Sequence, residues 1–150
     1  MTSTPDNIQI CNKNLVSRHW EELWNQDLVD RVGTFYAADF SNFGVPPDLA
    51  DIARIGAAWR TAFPDLEYLV EANLAENDQV VSRCTVSGTQ SGPVPLGGWS
   101  TLAPTGQHFA ATQVHRFRLR DGQIVEHWAV RDDMAMLAQL GHVSPSCRQG

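Results

Sequence analysis

The chain has 150 residues, of which 43% are hydrophobic and 19% are charged, a balance that is typical of a single globular domain and argues against disorder. A formal net charge of −6, with lysines and arginines scattered along the sequence, argues against a nucleic-acid partner. No stretch is long and apolar enough to cross a membrane, and the polar N-terminus lacks the apolar core of a secretion signal, so we expect a cytoplasmic protein. Cys11, Cys84 and Cys147 lack metal-ligand spacing and predict neither a disulfide framework nor a zinc site.

Three helices are predicted in the first half of the chain. Hydrophobic residues recur at three- and four-residue steps over residues 8–25, which indicates an amphipathic helix. Asp27 is a suitable N-cap for a second, short helix over residues 28–38, which should pack antiparallel on the first. After a short extended segment at 39–44, a third helix is predicted over about 48–63.

The second half of the chain is predicted to be rich in strands. Hydrophobic and polar residues alternate from Leu66 to Leu74, and a second strand follows over residues 79–90. Residues 91–106 are rich in glycine and proline and predict a long loop, which in a compact domain often covers a site.

Two long strands and a short helix complete the predicted elements. Residues 107–120 and 123–132 form the strands, and Asp121-Gly122 is a hairpin turn between them. The short helix covers residues 133–140.

Helices and strands are segregated along the chain, which indicates an α+β class. A curved antiparallel sheet with helices on its concave side forms a cone with an internal pocket. We expect one domain over residues 1–150, with frayed tails at 1–7 and 143–150.

The last predicted strand ends in an acid. Successive side chains of a strand alternate between its faces, so Trp128, Val130 and Asp132 should share the inward face. The opposite set, which includes His127 and Arg131, should face solvent or a subunit interface. A carboxylate at the edge of an apolar cavity loses hydration, which raises its pKa and suits it to act as a general base.

Asp132 also has a structural interpretation, because aspartate is a favoured N-cap and a helix follows directly. Asp133 competes for that capping role. Two adjacent acids allow one to cap the helix while the other faces the pocket, and the alternation favours Asp132 as the inward one.

Other polar residues on the predicted sheet carry two interpretations each. His115 is either a core histidine bonded to a neighbour or a general acid paired with Asp132, with Gln113 on the same face. A bulge would reverse such a face assignment. Glu126 either pairs with an arginine, such as Arg83, or serves as a second acid in the pocket. His19 is predicted to be a packed residue.

Short motifs in order along residues 10–141 resemble the SnoaL-like polyketide cyclases of the NTF2-like superfamily. The motifs include Trp24-Asn25-Gln26-Asp27, Phe35-Tyr36-Ala37-Ala38-Asp39-Phe40, Ala62-Phe63-Pro64-Asp65, Ser87-Gly88-Thr89, Pro104-Thr105-Gly106, His115-Arg116-Phe117, Asp121-Gly122-Gln123-Ile124-Val125-Glu126-His127-Trp128 and Gln139-Leu140-Gly141. The resemblance implies a cone-shaped α+β barrel.

The resemblance also implies a reaction. Characterised members close the last ring of an aromatic polyketide methyl ester by intramolecular aldol condensation, without a cofactor or a metal. An aspartate near the end of the last strand abstracts the proton, and Asp132 is its best match here. Gln113 and His115 match the polar pair that binds substrate oxygens and returns a proton. Phe43 occupies the position where many relatives have a histidine, which leaves the substrate open.

Aromatic residues are abundant, and some of them could form the walls of a pocket for a flat apolar substrate. The predicted substrate-binding residues are Gln113, Trp24, Phe35, Phe43, Trp59, Phe63 and Trp128. Packing in the core is the competing interpretation for most of the aromatic ones.

Three functions are compatible with the sequence. The first is a cofactor-independent lyase or isomerase that closes a ring, with Asp132 and His115 as catalytic residues. The second is an epoxide hydrolase of the same fold, which needs an Asp–Arg–Asp set that Arg60, Arg83 and Arg116 do not clearly supply. The third is a non-catalytic small-molecule-binding domain. We expect a homodimer or homotetramer, with Val114, Val125 and Ala129 facing outward.

Overall fold

The computed structural model describes residues 4–96 and 100–144. The helices are α1 Pro5–Arg18, a π-helical segment His19–Asn25, a short 3-10 turn Val29–Arg31, α2 Val32–Phe35, α3 Leu49–Ala62 and α4 Asp133–Gln139. The strands are β1 Tyr36–Asn42, β2 Glu67–Glu76, β3 Gln79–Thr89, β4 Val94–Leu96, β5 Ser100–Leu102, β6 His108–Arg120 and β7 Gln123–Arg131.

The main sheet has five strands in the order β1-β7-β6-β3-β2, and the short β4 and β5 form a separate hairpin. All pairs in the main sheet are antiparallel except β1 with β7, which is parallel, so the sheet is mixed. The sheet is curved and not closed, with the N-terminal helices packed on it, as expected for an NTF2-like α+β cone. Aromatic and aliphatic side chains of both layers form one core.

A bulge in β7 decides which side chains face the interior. Leu119 pairs with Ile124 but Arg118 pairs with Glu126, so Val125 is an extra residue in β7. Ile124 and Val125 are both buried, and the alternation restarts one residue out of phase. His127, Ala129 and Arg131 therefore face the interior. The predicted inward orientation of Trp128, Val130 and Asp132 is wrong for this reason.

The π-helical segment positions two aromatic residues of the interior. A π-helix bonds residue i to residue i+5, which differs from the four-residue step of an α-helix. His19 and Trp24 are five residues apart, and the Nε1 of Trp24 donates to the Nε2 of His19 at 3.0 Å. The periodicity over 8–25 predicted the helix but not its change of winding at His19.

Two aspartates cap the start of the third helix. Asp48 accepts from the backbone N–H of Ala50, and Asp51 accepts from the backbone N–H of Asp48. These bonds satisfy donors that would otherwise lack partners at the start of the helix. The helix runs from Leu49 to Ala62, close to the predicted 48–63.

Three predicted boundaries differ from the structure. The predicted second helix, 28–38, ends at Phe35 because Tyr36 begins β1. The predicted frayed start is helical from Pro5, where the missing backbone N–H of proline is tolerated in the first turn. The predicted loop 91–106 contains the β4–β5 hairpin. Residues 1–3, 97–99 and 145–150 lie outside the described residues.

A second register shift changes the first predicted strand. The pairing of β2 with β3 shifts between Val70 and Ala72, and Leu74 beyond it is 71% exposed. The prediction that Leu74 continues the buried face is therefore wrong.

The outer face of β6 and β7 also differs from the prediction. Val114 faces outward as expected, but Val125 is buried and Ala129 faces the interior. Trp128 and Val130 lie outside instead, and Val130 is 76% exposed. Self-association through this face stays a prediction that a native molecular mass would test. Within the described residues, none of the helices combines the length and the apolar character needed to cross a bilayer.

Candidate active site

A cavity of about 170 Å³ opens between the helices and the inner face of the sheet. Most of its wall is aromatic or aliphatic, and its polar groups gather on β6, β7 and β1. Its lining residues are His19, Trp20, Trp24, Tyr36, Phe40, Asn42, Phe43, Ile52, Ile55, Trp59, Tyr68, Val86, Gln113, His115, Phe117, His127, Ala129 and Arg131. None of these described lining residues is an aspartate or a glutamate.

Two histidines on neighbouring strands form a hydrogen-bonded pair in the cavity wall. The Nδ1 of His115 lies 2.9 Å from the Nε2 of His127. The Nε2 of His115 lies 2.9 Å from the Oε1 of Gln113, and the Nδ1 of His127 lies 2.7 Å from the Oδ1 of Asn42. The result is a continuous chain from Asn42 through both rings to Gln113.

The proton count of this chain restricts its chemistry. Three hydrogen bonds need three protons, but two neutral imidazoles carry only two N–H groups. The oxygen and nitrogen of a side-chain amide exchange places when the amide is rotated by 180°. One of the two flanking amides is therefore turned so that its NH₂ group supplies the third proton. When Asn42 is the donor, the Nδ1 of His127 is unprotonated and every later N–H points toward Gln113.

Burial keeps the pair neutral. Loss of hydration, followed by the charges of His127 and Arg131, lowers the pKa of His115 to about 3. Loss of hydration and then Arg131 lower the pKa of His127 to about 4. Both rings are therefore neutral at neutral pH, each with one N–H and one nitrogen that can accept a hydrogen bond or a proton.

Arg131 supplies the positive charge of the cavity. Its guanidinium lies 6.0 Å from the ring centroid of Trp59 and donates to the carboxylate of Asp133 at 3.0 Å. The side chain reaches the interior because the bulge places Arg131 on the same face as His127. A cation at this point favours a substrate that carries or develops negative charge.

A second polar group lies on the helical side of the cavity. The Nε2 of His19 is 2.7 Å from the hydroxyl of Tyr36 and 3.0 Å from the Nε1 of Trp24. Burial lowers the pKa of His19 well below its ordinary value and raises the pKa of Tyr36. The ring of Phe117 separates this group from the histidine pair, at 5.3 Å from His19 and 5.1 Å from His127.

Asp132 caps the last helix. Its carboxylate accepts the backbone N–H of Ala135 at 3.0 Å, the residue is exposed, and it is absent from the cavity wall. Asp133 pairs with Arg131 rather than capping. The alternation predicted that Asp132 faces the pocket and leaves the cap to Asp133. Instead, Asp132 caps the helix, so its predicted inward position is wrong.

The structure separates the other predicted site residues into two groups. Gln113, His115, Trp24, Phe43 and Trp59 line the cavity, as predicted. Phe35 and Phe63 are buried in the core and are not lining residues, and Trp128 lies on the outer face of the sheet.

The positions of the arginines bear on two further predictions, the pairing of Glu126 and the Asp–Arg–Asp set of an epoxide hydrolase. Glu126 lies on the outer face and pairs with Arg116 and Arg118, so it has a structural pairing, although Arg83 pairs with Glu71 instead. Arg60 binds backbone carbonyls, including that of Leu66 at 2.8 Å. None of Arg60, Arg83 and Arg116 lies in the cavity wall, which leaves an Asp–Arg–Asp set without support.

Six polar residues of the cavity wall were not assigned to a site from the sequence: His19, Tyr36, Asn42, Tyr68, His127 and Arg131. His127 and Arg131 were assigned to the opposite face, and a signal for the reversal exists in Ile124-Val125, two adjacent apolar residues that both need burial. No local pattern marks Asn42 or Tyr36 as polar groups of a cavity.

Comparison with known proteins identifies the family. The sequence profile of the SnoaL-like polyketide cyclases matches residues 14–140, and the chain belongs to this family. No curated protein is significantly similar to the chain.

Solved structures of similar proteins agree with this membership. A candidate SnoaL-like polyketide cyclase from Jannaschia sp. CCS1 is 26% identical, with 97% of this chain and 99% of that chain covered and a TM-score of 0.78. IdmH from Streptomyces antibioticus, a candidate polyketide cyclase, is 28% identical, with 87% and 98% covered and a TM-score of 0.73. AclR from Streptomyces galilaeus, a candidate hydroxylase, is 27% identical, with 93% and 87% covered and a TM-score of 0.76.

Proposed function

We propose that the protein is a cofactor-independent cyclase that closes a ring of a polyketide-type substrate by intramolecular aldol condensation. Family membership supports the class of reaction. The observation that carries the proposal is the neutral His115–His127 pair beside Arg131 in an otherwise largely apolar cavity. This arrangement combines a base with a positive charge, as removal of a proton from carbon requires.

His127 is the proposed general base. As a whole residue His127 is more exposed than His115, and Asn42, which bonds its Nδ1, also lines the cavity. A substrate C–H group that displaces the Asn42 amide would meet the Nδ1 atom directly. His115 and Gln113 then act behind His127, because the bond from the Nε2 of His127 to the Nδ1 of His115 spreads the acquired charge over both rings.

The proposed reaction balances without a cofactor. A C–H bond next to a carbonyl breaks, its proton moves to the Nδ1 of His127, and its electron pair forms an enolate next to Arg131. The enolate carbon bonds to a second carbonyl carbon, and the π electrons of that carbonyl move onto its oxygen. The resulting alkoxide takes back the proton from His127.

Asp132 enters the proposal only as the alternative base that the sequence predicts. Its exposed position and its bond to the α4 backbone favour a capping role. A carboxylate in that position faces solvent and the α4 backbone instead of the apolar wall of the cavity.

Deuterium exchange tests the proposed first step with simple ketones in place of the natural substrate. The purified protein is incubated in D₂O with planar aryl methyl ketones such as 2-acetonaphthone, and incorporation at the methyl carbon is followed by NMR. We expect exchange above the buffer rate with the wild-type chain and a return to that rate for His127→Gln. Exchange that persists in His127→Gln would remove His127 as the base.

Product analysis with tricyclic polyketide-type methyl esters then identifies the reaction. Ring closure yields a product of unchanged composition or one that has lost water. A product with an added oxygen atom would favour a hydroxylase, the class of which AclR is a candidate member. Tight binding without any conversion would favour a non-catalytic binding protein.

A further inference from the structure

Two donors share one acceptor atom on the helical side of the cavity. The indole N–H of Trp24 can only donate, so the Nε2 of His19 to which it points is unprotonated. The hydroxyl of Tyr36 lies 2.7 Å from the same nitrogen. A ring nitrogen has one lone pair, so either donor alone satisfies it, and the other is available for a ligand.

The available donor is the hydroxyl of Tyr36. Trp24 keeps the acceptor of His19 satisfied when the tyrosine O–H turns away. Tyr36 lines the cavity and is 4% exposed, so a ligand oxygen that reached its hydroxyl would bind where little bulk water has access. A hydrogen bond made there replaces the one given up to His19, so the exchange is favourable when a ligand oxygen accepts and unfavourable when the buried hydroxyl is left without an acceptor.

We propose that the Tyr36 hydroxyl, supported by His19 and Trp24, forms a second oxygen-binding subsite that holds a carbonyl oxygen of a planar aromatic ligand. Phe117 separates this subsite from the histidine pair, with its ring 5.1 Å from that of His127 and 5.3 Å from that of His19. A flat ligand lying along Phe117 meets a base at one side and a neutral donor at the other.

The Tyr36 hydroxyl donates a hydrogen bond to the ligand and does not remove a proton from it. Burial raises the pKa of Tyr36, so the phenol stays protonated throughout the neutral range. His19 is buried and neutral, and with its Nε2 unprotonated its single proton lies on Nδ1, which can only donate and does not compete for the tyrosine proton. A neutral O–H donor suits a carbonyl oxygen on which negative charge develops.

Binding of a carbonyl oxygen by Tyr36 does not depend on the proposed function. That this oxygen belongs to the carbonyl attacked in the aldol step does rest on the proposed function. In the aldol step Tyr36 stabilises the forming alkoxide by a hydrogen bond. The proton that the alkoxide finally receives is the one that His127 removed from carbon. Tyr36 therefore ends the reaction protonated, as it began.

Matched probes test the subsite independently of turnover. Anthraquinone-2-sulfonate and anthracene-2-sulfonate have the same ring outline and the same anionic group, and they differ in two carbonyl oxygens. Their dissociation constants are measured by titration of tryptophan fluorescence or by calorimetry. We expect the wild-type chain to prefer the quinone, and Tyr36→Phe to reduce that preference roughly tenfold, the effect of one hydrogen bond. Binding of the anthracene should not change.

A second variant tests the role of the shared acceptor. Trp24→Phe removes the N–H that satisfies His19, so the Tyr36 hydroxyl is drawn back to His19 and the preference for the quinone falls although Tyr36 is intact. The ratio of the two constants cancels any general change in the cavity wall. An unchanged ratio in Tyr36→Phe, or no preference in the wild-type chain, would overturn the subsite. A lost preference without any cyclase activity would keep the subsite and reject the proposed function.

Discussion

The positive charge of Arg131 lowers the pKa of His127, the proposed base. Its guanidinium is one of the causes that hold the pKa of His127 at about 4, after the larger effect of burial. The same charge lies where an enolate would form in the proposed reaction. One side chain therefore weakens the base while it stabilises the product of proton removal.

We predict that Arg131→Gln lowers the rate of deuterium exchange and moves its acid limb to higher pH. Removing the positive charge makes protonation of His127 easier, so its pKa rises from about 4 toward the ordinary value of 6.5. The measurement is the pH profile of kcat/KM, with Arg131→Lys as the control that keeps the charge. A lower rate without any shift of the acid limb would show that Arg131 acts through packing alone.

The residue-scale predictions that succeeded rest on regular structure. Gln113 and His115 were assigned to the inner face from simple alternation, and β6 pairs with β3 without a register shift. Asp132 failed because the alternation was carried through the bulge at Val125. A single extra residue inverts every later side chain, and its position depends on pairing with another strand, which a local pattern does not contain.

At the scale of elements, the end of α3 approaches β3 closely at Gly88, through Phe63, the residue that follows the helix. A Cβ atom at this position would lie 2.9 Å from the Cβ of Phe63. The ring of Phe63 in turn stacks on Trp59 with centroids 5.7 Å apart, and Trp59 is a wall of the cavity. The contact between helix and sheet therefore sets the position of the cavity wall.

Replacement of Gly88 tests this contact. We predict that Gly88→Ala lowers the free energy of unfolding by about 1–3 kcal/mol, the usual effect of overpacking a core. Gly33→Ala is the matched control, because a Cβ there meets nothing within 4 Å. Denaturant unfolding of both variants is the measurement. Equal stabilities for the two would contradict the close approach.

The order of the elements was largely predictable, whereas two of their internal irregularities were not. Helix and strand periodicities and the Asp121-Gly122 turn indicated the α+β arrangement. The π-helical winding at His19 and the start of β1 at Tyr36 were missed, because both are determined by packing against the sheet. These two irregularities place His19 and Tyr36 beside each other.

At the scale of the whole molecule, two buried histidines, His19 and His115, and the partly buried His127 link stability to pH. Burial lowers the pKa of His19, His115 and His127, so the folded chain resists their protonation. The unfolded chain binds these protons once the pH falls below about 6.5. Stability is therefore full above that pH and falls as the pH decreases toward the folded values of about 3 and 4.

We predict a marked loss of stability between pH 7 and about 5, before most carboxylates titrate. For His115 the loss at about pH 5 is on the order of 2 kcal/mol. Urea unfolding across this range is the measurement, and the His115→Gln, His127→Gln double variant should show a shallower dependence. A stability that stays flat over the range would contradict the buried neutral state of these rings.

The central claim is that proton abstraction depends on the histidine pair inside the cone rather than on the acid at its edge. His127→Gln and Asp132→Asn separate the two, since asparagine caps a helix about as well as aspartate. In the deuterium-exchange assay with one aryl methyl ketone, we predict that His127→Gln lowers kcat/KM by about 10²–10⁴-fold and that Asp132→Asn stays near the wild-type rate. A full loss of exchange in Asp132→Asn, with His127→Gln still active, would contradict the account.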